Sequence, residues 1–229
     1  MSAKQVWVTA LQGLDRAEIP AYLKEQSGLP GPRANLTLVD AVVSLADPDL
    51  APLLLDDGDE YTAMCAAALI GRRADDPFAE EQARGLAADS RWRVREGVAI
   101  GLQHLGDRDV ASLIPIARQW AEDADPLVQR AAVAALCEPR LLHTDAAKAA
   151  ALEVCRIATE RLAALPDSQR KGGSARTLRQ ALGYCWSIAV AANPEHGLPA
   201  FRALDTAHAD IAWIVAENRR KKRLSVLLP

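Results

Sequence analysis

Residues 89–102, Asp89-Ser90-Arg91-Trp92-Arg93-Val94-Arg95-Glu96-Gly97-Val98-Ala99-Ile100-Gly101-Leu102, decide the fold. An Asp is followed by a Val-Arg pair and then by small residues ending in Leu. The pattern recurs on both sides. Asp56 leads to Tyr61-Thr62 and to Ala66-Ala67-Ala68-Leu69; Asp123 leads to Val128-Gln129 and to Ala132-Val133-Ala134-Ala135-Leu136. The steps between the three Asp residues are 33 and 34. A helical repeat of that length predicts helix pairs stacked in series, each burying one face against the next.

Composition fits. The chain has 229 residues, half of them hydrophobic but only 4% aromatic. Its apolar side chains are mostly Ala, Leu and Val; Ala-rich, Gly-poor segments favour helices, and small side chains let helices pack closely. Strand-like alternation is absent. The expected fold is all-α, an α-α superhelix of about six HEAT-like pairs forming a single domain over 1–229. Its clearest repeats lie over 56–137, with longer, irregular pairs over 144–222.

Caps and breakers set the element boundaries. Asn35 caps a helix running to Leu45; Asp47-Pro48 and Asp76-Pro77 open helices 48–55 and 77–88; Asp59 opens a helix to Gly71. Helix 92–105 is expected to stop at Gly106. Helices follow over 109–121, with Pro115 inside, and from Asp125-Pro126 to Cys137. Asp145 to Leu165, 175–192 and the short stretch 198–204 are helical. Asp210 starts a closing helix. Residues 166–174 form the expected mobile loop.

The repeat resembles the HEAT repeat. In such arrays the Asp and Arg form a ladder between neighbouring turns, which is the structural role implied for Asp89, Arg95 and Asp123. Two longer phrases, Trp92-Arg93-Val94-Arg95-Glu96-Gly97 and Trp120-Ala121-Glu122-Asp123 with Val128-Gln129-Arg130-Ala131-Ala132 and Glu138-Pro139-Arg140, resemble the bacterial HEAT-like DNA alkylation-repair glycosylases. The phrase Trp213-Ile214-Val215-Ala216-Glu217-Asn218 fits the same superfamily. That resemblance implies an alternative reading, an alkylpurine DNA glycosylase in which Trp120 and Asp123 would be the aromatic and the carboxylate opposing charge on the sugar. Asp123 lies one residue closer to its Trp than the family spacing. The structural reading makes Trp120 a core residue and Asp123 part of the repeat. Trp92, Trp186 and Trp213 are expected as buried anchors.

Charge points to a surface. Residues 1–139 carry 13 Lys and Arg against 22 Asp and Glu, a balance of −9, and residues 140–229 carry 14 against 8, a balance of +6. The run Arg219-Arg220-Lys221-Lys222-Arg223 exceeds what a helix C-terminus calls for. Arg130, Arg176, Arg179 and Arg219 fall on second helices of successive pairs, so a basic strip on the concave face is expected, formed by Arg130, Arg176, Arg179, Arg219, Arg220, Lys221, Lys222 and Arg223.

Other chemistries find little support. Cys65, Cys137, Cys155 and Cys185 form no CxxC, and the four histidines form no HxxxH or HExxH, so no metal site and no cofactor is expected. Nor is there a GxGxxG, a P-loop or a GxSxG. No apolar run approaches the ~20 residues of a membrane span, and residues 1–15 lack the pattern of a signal peptide, so the expected compartment is cytoplasmic. The expected function is that of a non-enzymatic scaffold, taking an acidic protein segment or another polyanion on its concave face. A DNA-binding protein is the alternative.

Overall fold

The computed structural model describes residues 1–228, and among them there is no β-strand. The helices are α1 (Ala3–Gln12), α2 (Ile19–Glu25), α3 (Leu36–Leu45), α4 (Leu50–Asp56), α5 (Glu60–Gly71), α6 (Pro77–Ala87), α7 (Trp92–Arg108), α8 (Val110–Ala121), α9 (Pro126–Leu136), α10 (Asp145–Ala164), α11 (Asp167–Arg170), α12 (Gly173–Ala192), α13 (Pro194–Arg202), α14 (Ala209–Arg219) and α15 (Lys222–Ser225). Short 3-10 turns lie at Arg16–Glu18 and Pro139–Leu141. The fold is all-α, as the repeat period predicts.

Polar side chains start most helices by accepting bonds from free amides of the first turn. Asn35 accepts from Leu38 N at 3.1 Å, and Asp125 from Leu127 N at 2.8 Å. Asp59 accepts from Tyr61 N at 2.8 Å, and Asp76 from Ala79 N at 3.0 Å. Proline at the first helical position follows the cap at Asp76, Asp125 and Asn193.

Contacts group the chain into two units, Met1–Leu105 and one beginning at Gly106. In the first, α3 packs on α1 and α5, and α5 packs on α2, α4 and α6. Helix α5 is buried from Tyr61 to Gly71. It meets α7 backbone to backbone. A Cβ added at Gly97 would lie 2.2 Å from the Met64 carbonyl oxygen, and one at Gly101 would lie 2.3 Å from that of Ala68. Small residues in the repeat therefore set the distance between helices of successive pairs.

The Asp-Arg pattern closes each turn on itself. Arg95 Nη1 donates to the Asp89 carbonyl at 2.6 Å, and Gln129 Nε2 donates to the Asp123 carbonyl at 2.6 Å, both six residues back. Thr62, at the matching position, donates to Asp57 Oδ2 at 3.1 Å. Arg93 ties neighbouring turns of the first unit: its Nη1 donates to Glu60 Oε2 at 2.8 Å, 33 residues away. Lys24 and Asp57 form a similar pair at 2.6 Å.

In the second unit α8 packs on α9 and α10, and α12 is central, against α9, α10, α13, α14 and α15. Trp186 of α12 is fully buried and donates from Nε1 to Thr159 Oγ1 at 3.0 Å. Asn218 of α14 is also fully buried. Its Oδ1 accepts from Ser187 N, and its Nδ2 donates to the Leu182 and Ile214 carbonyls, each at 2.8 Å.

Four details depart from sequence expectation. Residues 3–12 form a helix, capped by Ser2 and packed on α3. Gly106 does not stop α7, which runs on to Arg108; a Cβ there would lie 2.8 Å from both Leu113 and Leu141 side chains, so the glycine answers to packing. The loop 166–174 contains α11 and the first turn of α12. Trp92 is 52% exposed, with the Arg93 guanidinium 4.6 Å from its ring centroid, because it begins its helix rather than lying within it.

Candidate anion-binding face

Several basic residues of the second unit lie on or beside α12. Arg179 points toward α14, where its Nη1 donates to Asp210 Oδ1 at 2.7 Å and its guanidinium lies 4.9 Å from the Trp213 ring centroid. Gly183, one turn on, leaves room for Trp213; a Cβ there would meet Trp213 at 2.8 Å. Trp213 is thus half-buried and carries a cation.

The C-terminal run does not trail away from the fold. After α14 the chain turns into α15, anchored by buried Leu224. Arg223 Nη2 donates to the Tyr184 hydroxyl at 2.8 Å, with its guanidinium 4.8 Å from the ring centroid. Lys221 Nζ lies 5.6 Å from the same centroid. Tyr184, on α12, is 44% exposed between these cations. Arg223 also borders a recess of about 490 Å³ with Pro139, Leu142, Ile188 and Ala191.

Arg130 of α9 is drawn in as well. The Cys185 thiol is pushed well above its ordinary range by its hydrogen bond with Cys137 and by burial, while Arg130 and Arg223 act in the opposite direction. Both guanidiniums are therefore within electrostatic reach of α12. Arg219, Arg220 and Lys222 are exposed, and Arg220 pairs with Glu217 at 2.5 Å.

The sequence reading did not include Arg170 and Lys171. With Arg176 and Arg179 they line a recess of about 330 Å³ whose other walls are Asp167, Ala209 and Asp210. Arg170 pairs with Asp167 and contacts His208 Nε2. The sequence signal for this pair is a run of two cations just before the start of a long helix.

Trp120 and Asp123 lie at the junction of α8 and α9. Trp120 has no exposed surface. Asp123 Oδ1 accepts from Asp125 N at 2.8 Å, within the turn that starts α9. The cysteines, scattered in sequence, partly converge: Cys137 and Cys155 Sγ atoms are 3.5 Å apart, and all four thiols are free and buried. Among the described residues no group of His, Cys, Asp and Glu could hold a metal ion, and no helix is long and apolar enough to cross a membrane.

Serial pairing of helices with buried small-residue faces defines a helical repeat protein. Residues 48–137 match the family model of HEAT repeats, and this span is HEAT-like. No curated protein matches the chain. Among solved structures, a crystal structure of an engineered protein aligns at 15% identity, covering 91% of this chain and 100% of that one, with a TM-score of 0.29.

Proposed function

We propose that the protein is a non-enzymatic interaction scaffold that binds an acidic protein segment on the face built by α9, α12, α14 and α15. HEAT repeats are in general protein-interaction scaffolds. The observation that carries this reading is the packing of Lys221 and Arg223 on Tyr184, which holds the C-terminal basic run against α12. An exposed aromatic between cations suits a polypeptide, giving it apolar contact beside charge. The enclosure of Trp120 supports a binding role over base excision.

The test is fluorescence anisotropy with a labelled Glu-rich peptide across a salt series, with duplex DNA in parallel. The peptide should bind at low salt and weaken as salt rises. The double substitution Arg176→Glu, Arg223→Glu should abolish binding. Absence of peptide binding at low salt contradicts the proposal, as does clear preference for the duplex.

A further inference from the structure

We infer that the recess lined by Arg170, Lys171, Arg176 and Arg179 is a site for one phosphomonoester dianion, carried on the acidic partner segment. This rests on the reading above and narrows it to a phosphorylated partner.

Charge is the first ground. Four cations face two carboxylates, Asp167 and Asp210, across this recess. Among the described residues Lys171 and Arg176 have no ion-pair partner. The unopposed charge matches a phosphomonoester, which carries about −1.5 to −2 near neutral pH, better than a single carboxylate. A larger recess of this unit, about 720 Å³ and bordered by Asp145, Lys148, Glu153 and Arg156, shows the contrast. There Lys148 is already paired with Asp145 and Arg156 with Glu160.

The second ground is unmet donors. Arg170 Nε and Arg179 Nε are buried atoms with no hydrogen-bond partner. A guanidinium can only donate, so what each lacks is an acceptor. Leaving such a donor unmatched is costly, so neither guanidinium has its full donor capacity met by its carboxylate partner. Three guanidiniums from α11 and α12, with the Lys171 ammonium between the helices, line the recess from several sides and suit a tetrahedral group better than a planar one.

The third ground is a violated helix rule. Helix α12 is 20 residues long, has no acidic residue in its first turn, and is capped by Gly172, which has no side chain to accept from the free amides. Its N-terminus is the positive end of the dipole, where cations are disfavoured. Yet Arg170 and Lys171 precede it and Arg176 lies in its first turn. The start of α14, at Ala209, borders the same recess, and its cap residue His208 makes no side-chain cap bond. Repulsion of this kind is relieved by a bound anion.

The experiment uses the full chain and one Glu-rich peptide in three forms, with Ser, phosphoserine or Glu at its central position, followed by calorimetry. Inorganic phosphate alone and duplex DNA are the further arms. The phosphoserine form should bind about tenfold more tightly than the Glu form, since a dianion with more acceptor oxygens gains further charge-assisted bonds. Lys171→Ala and Arg176→Ala, both at exposed positions, should erase that difference without moving the melting temperature. Inorganic phosphate should bind weakly and compete with the phosphoserine form only. Equal binding of the phosphoserine and Glu forms overturns the phosphate site and leaves the acidic-segment reading standing. Binding by none of the peptides overturns both. Tighter binding of duplex DNA, sensitive to the same two substitutions, overturns the monoester assignment.

Discussion

Arg179 and Asp210, 31 residues apart on α12 and α14, form an ion pair at 2.7 Å on the rim of the basic recess. The carboxylate holds α14 to α12, and it also offsets one of the charges a ligand would meet. These two roles separate on mutation. Asp210→Ala should lower stability by about 1 kcal/mol, a figure suited to a partly exposed pair. The same change should tighten binding of an acidic peptide. Chemical denaturation and peptide titration of one variant check both directions.

Asn218 provides a purely structural contrast. Its side chain is fully buried and meets three backbone groups of α12 and α14. Asn218→Leu removes those bonds and leaves the Ser187 amide without its partner. A loss of about 2–4 kcal/mol in urea unfolding is expected. At temperatures where the variant stays folded, its peptide affinity should be unchanged.

Two glycines of α7, Gly97 and Gly101, should tolerate nothing larger. At Gly97 and Gly101 the added carbon would collide with backbone oxygens, which cannot swing aside as a side chain can. Gly97→Ala or Gly101→Ala should cost about 3 kcal/mol, at the upper end of overpacking penalties. Gly85, where an added carbon meets nothing, is the control: Gly85→Ala should be neutral or stabilising by up to about 1 kcal/mol.

Stability should fall on both sides of neutral pH. The bond from Lys24 holds the Asp57 carboxyl below its usual range, and Arg91 does the same for Asp89. Depressed values mean stability that is complete above about pH 4 and lost as pH falls through the folded values. Asp57→Asn should make the melting temperature less sensitive to pH between about 5 and 3. The hydrogen bond with Cys155 and burial raise the Cys137 thiol, and the bond with Cys137 and burial raise Cys185. Raised values mean stability complete below the ordinary thiol range, about 8.5, and lost as pH climbs beyond it. Thermal melts from acid to alkaline pH read both limbs.

Spacing and caps carried most of the fold into view. Asn35, Asp59, Asp76 and Asp125 begin helices where their side chains can meet free amides, because capping is local chemistry. Gly106 misled because the same residue ends helices and admits close neighbours; only Leu113 and Leu141, distant in sequence, decide between the two. Trp92 misled because apolar character does not reveal that a residue opens its helix. Of the basic strip, Arg176 and Arg179 were legible from their spacing on a helix. Arg170 and Lys171 were not, since nothing local shows that α14 returns beside them. The contact of Tyr184 with Lys221 and Arg223 was equally hidden, being a tertiary contact across 37 to 39 residues.

Amide-resolved NMR of the full chain during titration with a Glu-rich peptide tests the central claim most directly. Shifts should concentrate at Arg170–Arg179, at Tyr184 and at Lys221–Arg223, with residues 1–105 little changed. Shifts confined to residues 1–105, or none at all at low salt, would contradict it.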